Sequence, residues 1–192
     1  MSDPHEQALD ILQELNFTQE PGSEEETPEP AGKHIQIVSI YHEADKSSMQ
    51  RLAFHLNVMR RQVAVNEDIH LDYKNYEIWT DYPSDDAQED LSGANYLIIL
   101  MSLELITALY NDAELYQALQ RSMRNKGAIR DAGTTISIVL MTTKVQWDTN
   151  EFPVSAFYPQ PQNKALASIR DKNEVYVEII EQLRQWITQK LW

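Results

Sequence analysis

The sequence predicts a three-layer α/β sandwich built on a parallel sheet of four or five strands. Three observations carry this. Short runs rich in apolar and β-favouring residues recur along the chain, and the central one, Tyr96 to Met101, is apolar throughout, as a strand buried on both faces is. Segments with apolar residues every three or four positions lie between the runs, which is helical spacing. Strands and helices alternate, and that order places helices on both faces of a parallel sheet.

At the start, residues 1–17 hold a short amphipathic helix. Asp3 is its expected N-cap, Pro4 suits the first helical position, and Glu6 completes a capping-box pattern. Ala8, Leu9, Ile11, Leu12 and Leu15 share one face. So short a helix is marginal alone in water, so the face is expected to pack on its own domain, on a partner protein or on another copy. Residues 18–32 come next, with Pro21, Pro28, Pro30, Gly22, Gly32 and the glutamates Glu24 to Glu26. This composition reads as an acidic flexible linker, and it leaves residues 33–192 as the main domain.

His34 to Tyr41 reads as the first core strand, with His42, Glu43, Ala44 and Asp45 as the turn at its carboxyl end. Met49, Leu52, Ala53, Leu56 and Met59 then mark a helix, which Arg60 and Arg61 are expected to close, since cations suit a helix C-terminus. Residues 62–74 show no clear period and read as a loop. Tyr76 to Thr80 is the second strand, and the polar stretch Asp81 to Asn95 has room for a turn or two of helix. After the central strand, Ser102 is placed to cap one long helix carrying Leu105, Leu109, Ala113, Tyr116, Leu119 and Met123 on its buried face. Thr135 to Thr142 is a further strand, Lys144 to Ala165 a long proline-bearing connection, and the last helix starts at Asp171 with Glu174 three residues on. Val175, Ile179, Ile180, Leu183, Trp186 and Ile187 are its expected buried face.

Composition narrows the function. A formal charge of −14 and a pI near 4.7 leave no excess of cations to neutralise phosphates, which argues against nucleic acid and against an anionic membrane surface. The absence of cysteine excludes disulfides, thiolate nucleophiles and zinc–thiolate sites. No secretory signal is read at the start, and no apolar run approaches the roughly 18–20 residues of a spanning helix. A soluble cytoplasmic protein is the expectation.

The carboxyl ends of the predicted strands gather Tyr41, His42, Glu43, Asp45, Asp81 and Ser102, with Glu114 a few turns into its helix. Neither glycine-rich phosphate loop is present. No H-E-x-x-H motif occurs, and His42 with Glu43 and Asp45 reads as a solvated turn rather than a metal site. Ser102 lacks the flanking glycines of a nucleophile elbow. A phospho-acceptor receiver would end its central strand in Asp, where this chain has Met101-Ser102.

Five short motifs in order resemble the TIR (Toll/interleukin-1 receptor) domain family, in its bacterial form, from about Ile35 to Leu191. Val38 to Asp45 is similar to the family's I-S-Y-x-H-E-D opening, and Ile78-Trp79-Thr80-Asp81 to its second strand. Ala94 to Ser102 resembles A-D-x-I-I-L-L-x-S, and Thr107 to Leu115 matches S-x-x-x-x-x-x-E-[LM] in spacing. Thr135 to Trp147 resembles the segment I-I-P-I-x-L-x-x-x-x-W, and Phe152-Pro153 the family's next conserved pair. The resemblance implies a flavodoxin-like fold and a choice between two activities. One is hydrolysis of NAD+ at the ribose–nicotinamide bond in immune defence or signalling, with NAD as substrate and no bound cofactor or metal. The other is assembly with further TIR domains, or with itself, as a non-catalytic adaptor. For the first, Glu114 is the implied catalytic acid, and Tyr41, His42, Asp81 and Tyr110, with Ser102, are the implied NAD-contacting residues. Two departures stand out. Only Tyr82 to Asn95 separates the second and third predicted strands, and Tyr110-Asn111 takes the place of the family's Trp-Cys. A nucleotide-sensing module without turnover is the third class.

Overall fold

The computed structural model describes residues 33–79, 85–124, 135–146, 154–159 and 164–189. The expected N-terminal helix and linker, Asp81, Trp147 and Phe152-Pro153 lie outside these residues. Five parallel strands form one sheet: β1 (Lys33–His42), β2 (Ile69–Ile78), β3 (Tyr96–Met101), β4 (Ile136–Met141) and β5 (Ala156–Tyr158). Their order is β2-β1-β3-β4-β5, the flavodoxin-like doubly wound arrangement, which reverses direction between β1 and β3. Among the described residues there are five α-helices: α1 (Lys46–Glu67), α2 (Asp85–Gly93), α3 (Leu103–Asn111), α4 (Ala113–Arg124) and α5 (Lys172–Thr188).

Alternation along the strands separates two cores. Tyr96, Ile98 and Leu100 of β3 join Ile35 and Ile37 of β1 under α1 and α5. Leu97, Ile99 and Met101 join Val38 and Ile40 under α2, α3 and α4. Successive strand side chains point to opposite faces, and both faces of β3 are completely buried. The three-layer sandwich expected from the sequence is the one observed.

Four element boundaries differ from expectation. First, α1 runs past Arg60 and Arg61 to Glu67 and ends at Asp68 in a left-handed conformation (φ 50°). Val63, four residues beyond Met59, continues the buried stripe, and no breaker stops the helix earlier. Second, residues 69–74, expected as loop, form more than half of β2. This strand lies at the sheet edge, so its polar residues face water while Ile69 and Leu71 are buried.

Third, the long helix after β3 is two helices broken at Asp112. The Asp112 N–H donates to the Ala108 and Leu109 carbonyls and so closes α3. Its Oδ1 then accepts from Leu115 N at 3.0 Å and its carbonyl from Tyr116 N, which opens α4. The break shifts the buried face, so Ala113 is exposed and Leu115, Ala118, Leu119 and Met123 point inward. Fourth, the connection after β4 contains β5, a three-residue edge strand paired with β4. Three residues are too few to show a period. The last helix is as expected at its start, where the Asp171 side chain accepts from Asn173 N. Its buried face includes Tyr176, with Ile180 and Trp186 half-buried.

Candidate functional site

The carboxyl ends of β1 and β2 build a polar cluster from the register upward. Tyr41 stands directly opposite Glu77 across the β1–β2 ladder. The Tyr41 hydroxyl donates to Glu77 Oε2 at 3.1 Å. Lys46, at the first position of α1, approaches the same oxygen at 2.9 Å. Burial pushes the Tyr41 hydroxyl up to about 12, helped by its bond to Glu77 and by that carboxylate's charge. The hydrogen bond from Lys46 holds the Glu77 carboxyl below its usual value, with Tyr41 assisting and desolvation opposing.

Two carboxylate oxygens beside this network, Glu77 Oε1 and Asp45 Oδ2, are buried without a hydrogen-bond partner. Buried polar atoms are rarely left this way, and each one calls for an explanation such as a missing ligand or solvent. His42 caps the 3₁₀ turn Glu43–Asp45, with Nδ1 accepting from Ala44 N at 3.2 Å. An accepting Nδ1 assigns the ring proton to Nε2. The turn thus commits one ring nitrogen.

Ser102 stands just after β3, the strand next to β1. It is buried, and its Oγ accepts from Leu105 N at 3.2 Å as the N-cap of α3. Its hydroxyl is therefore engaged in helix initiation. Tyr110 and Glu114 form a second group. Both are exposed, and they straddle the Asp112 break. Glu114 lies in the first turn of α4 rather than a few turns into a helix. A carboxylate there is favoured by the partial positive charge of the helix N-terminus. The Tyr110 ring tilts against Tyr116 with centroids 5.5 Å apart. One helix, α3, of about 14 Å by its rise per residue, separates Glu114 from the Ser102 cap, and α3 lies over β1 and β3.

So Tyr41, His42 and Ser102 stand at neighbouring strand ends, Tyr110 and Glu114 stand together at the far end of α3, and Asp81 is outside the described residues. Sequence reasoning missed Glu77 and Lys46 as site members. The period-two pattern Ile69-x-Leu71-x-Tyr73 was the available signal, because extending it as a strand places Glu77 on the same face as Tyr73. No protein-family model matches the chain, and no curated protein matches its sequence. Among the described residues no helix is long and apolar enough to cross a membrane.

Proposed function

We propose that the chain is a TIR-like signalling or immune-defence effector that hydrolyses NAD+ at the ribose–nicotinamide bond when assembled. The observation that supports this most is the position of Tyr41, His42 and Ser102 at the strand-order reversal between β1 and β3. Open α/β sheets bind their ligands outside the strand ends at such a reversal. The unpartnered oxygens of Glu77, which Tyr41 bonds through its other oxygen, and of Asp45 in the turn after β1 suit hydroxyl or amide donors, which a nucleotide ribose and a carboxamide provide.

The chemistry asks for one carboxylate. Nicotinamide departs from a cationic pyridinium as a neutral molecule, so no general acid is needed. The ribosyl carbon becomes oxocarbenium-like, and an acid facing that charge stabilises it. Water then adds, giving ADP-ribose and a proton. On this reading Glu114 is that acid, Tyr110 borders the nicotinamide side, and Tyr41 and His42 contact the nucleotide. Nicotinamide release by the purified full chain at high concentration tests it. Glu114→Ala is expected to lower turnover by about 10²–10³-fold or more.

An adaptor reading competes, favoured by one observation. Leu103 and Tyr110, two turns apart on α3, are both exposed large hydrophobics on an open helix, as a protein contact would need. Calorimetry finding no NAD+ binding, together with no turnover, would select it.

A further inference from the structure

Where the first turns of α1 approach the start of α5, the surface opens into a cavity of about 690 Å³, a size typical of small-molecule sites. Ser47, Gln50, Arg51, Phe54 and His55 line it from α1, and Asn173 lines it from α5. The α1 residues follow one another at three, one, three and one, the spacing that gathers side chains on one side of a helix. The other side of the same turns, Met49, Leu52 and Leu56, is buried in the core. The lining therefore faces outward. It presents a guanidinium, an imidazole, two carboxamides, a hydroxyl and a phenyl ring.

One wall of the cavity is held from two sides. His55 Nε2 meets Asn173 Oδ1 at 3.0 Å, and the His55 ring stacks on the buried Tyr176 with centroids 6.1 Å apart. The Phe54 ring stands at 83° to the His55 ring, 5.7 Å away, and Phe54 is 67% exposed. The two rings thus make a corner, with ring surface of Phe54 open to the cavity. Arg51 lies one turn before His55 and is in no ion pair among the described residues. Among those residues no acid lines the cavity. Around it, Arg170 and Lys172 offset Asp171 and Glu174 on the α5 side, and Asp171 accepts from Asn173 N. Glu43 and Asp45 belong to the turn before α1, where Lys46 pairs with Glu77. Arg51 is left to make the cavity an anion site in a chain of net charge −14.

We infer that this cavity binds a mononucleotide, with its phosphate on Arg51 and its base on the Phe54 ring. A guanidinium presents a planar fork of donors that fits phosphate oxygens in pairs. A base of any identity stacks on an aromatic ring, since every base has a π-face. The carboxamides of Gln50 and Asn173 and the Ser47 hydroxyl offer donors and acceptors to ribose hydroxyls and base edges. A purely apolar ligand would strand the Arg51 charge away from water, and a cation would meet that charge with no acid to offset it. A single guanidinium suits one phosphate group. The run of phosphates in a nucleic acid needs many cations. The cavity shares no residue with Tyr41, His42, Ser102, Tyr110 and Glu114, so the inference stands apart from the NAD+ reading.

Calorimetric titration of the full chain with AMP, and with ribose 5-phosphate beside it, tests the inference. AMP is expected to bind with a dissociation constant on the order of 100 μM, as suits a small ligand in an open cavity. Ribose 5-phosphate, which lacks the base, should bind about tenfold or more weaker. Arg51→Gln and Phe54→Ala should each weaken AMP binding about tenfold or more. Both side chains are exposed, so the melting temperature should hold while the affinity falls. Glu114→Ala should leave AMP binding as it is. AMP that fails to bind at about 10 mM overturns the inference. So does binding that survives both Arg51→Gln and Phe54→Ala, which would place AMP elsewhere, the strand ends included. Ribose 5-phosphate binding as tightly as AMP overturns it too, because the base would then make no contact. Nicotinamide release is a separate readout, so failure of the NAD+ reading and failure of this site are distinct results.

Discussion

Individual side chains here reveal their roles through their partners. Ser102 is a candidate ligand contact by its place after β3, yet its buried Oγ is the N-cap acceptor of α3. Ser102→Ala should therefore cost about 1 kcal/mol, a fall of about 2–4 °C in melting temperature, and leave any NAD+ affinity unchanged; calorimetry and a thermal melt on one preparation check both. The tyrosines set an alkaline limit. Burial raises Tyr41 and Tyr73 to about 12 from the usual 10.0. Above pH 10 the unfolded chain loses protons that these folded groups keep, so their contribution to stability, complete below pH 10, declines as pH rises toward 12. Glu77 acts at the other end. Its lowered value means stability that is present above 4.5 and lost as pH falls below it. Urea midpoints across pH should show both slopes, with Tyr41→Phe flattening part of the alkaline one and Glu77→Gln part of the acid one. That Tyr41 would be buried was not legible in its neighbours. Its partner Glu77 is 36 residues away, and only the strand register brings them face to face.

Among the elements, α2 depends most visibly on a single residue. Asp90 accepts from Gln36 Nε2 at 3.1 Å, from Lys74 Nζ at 2.8 Å and from the Tyr76 hydroxyl. These donors come from β1 and β2, so one carboxylate ties the helix to both strands. Asp90→Ala should cost about 1–3 kcal/mol, because it strips the partner from two partly buried donors, Gln36 and Tyr76, at once; equilibrium denaturation would read this. Hydrogen exchange should show the loss first in α2. The break between α3 and α4 likewise turns on one side chain, Asp112. Its part was hidden in the sequence because apolar residues continue at helical spacing on both sides of it. A cap formed by Asp competes with helix continuation through its own local hydrogen bonds, and here the cap is observed. β2 was hidden for a different reason. Its alternation, Ile69-x-Leu71-x-Tyr73, breaks at Asn75, after which Tyr76 and Ile78 carry apolar groups to the opposite face.

For the molecule as a whole, the fold class was legible because it rests on features that repeat over many residues. β3 is apolar at every position, β4 at all but Ser137 and β1 from Ile37 to Tyr41 at all but Ser39, and the helical stripes of α1 and α5 bury large side chains at regular intervals. Each such residue contributes about 1.5–3 kcal/mol on burial, so a wrong layer would expose many of them together. Periodicity and composition therefore suffice for a parallel α/β sandwich, for the caps at Ser102 and Asp171, and for the strand ends that hold Tyr41 and His42. Distances between residues far apart in the chain are set by register and layer packing, which no local pattern encodes. The Tyr41–Glu77–Lys46 network and the tie of Asp90 to β1 and β2 both arise from that long-range geometry.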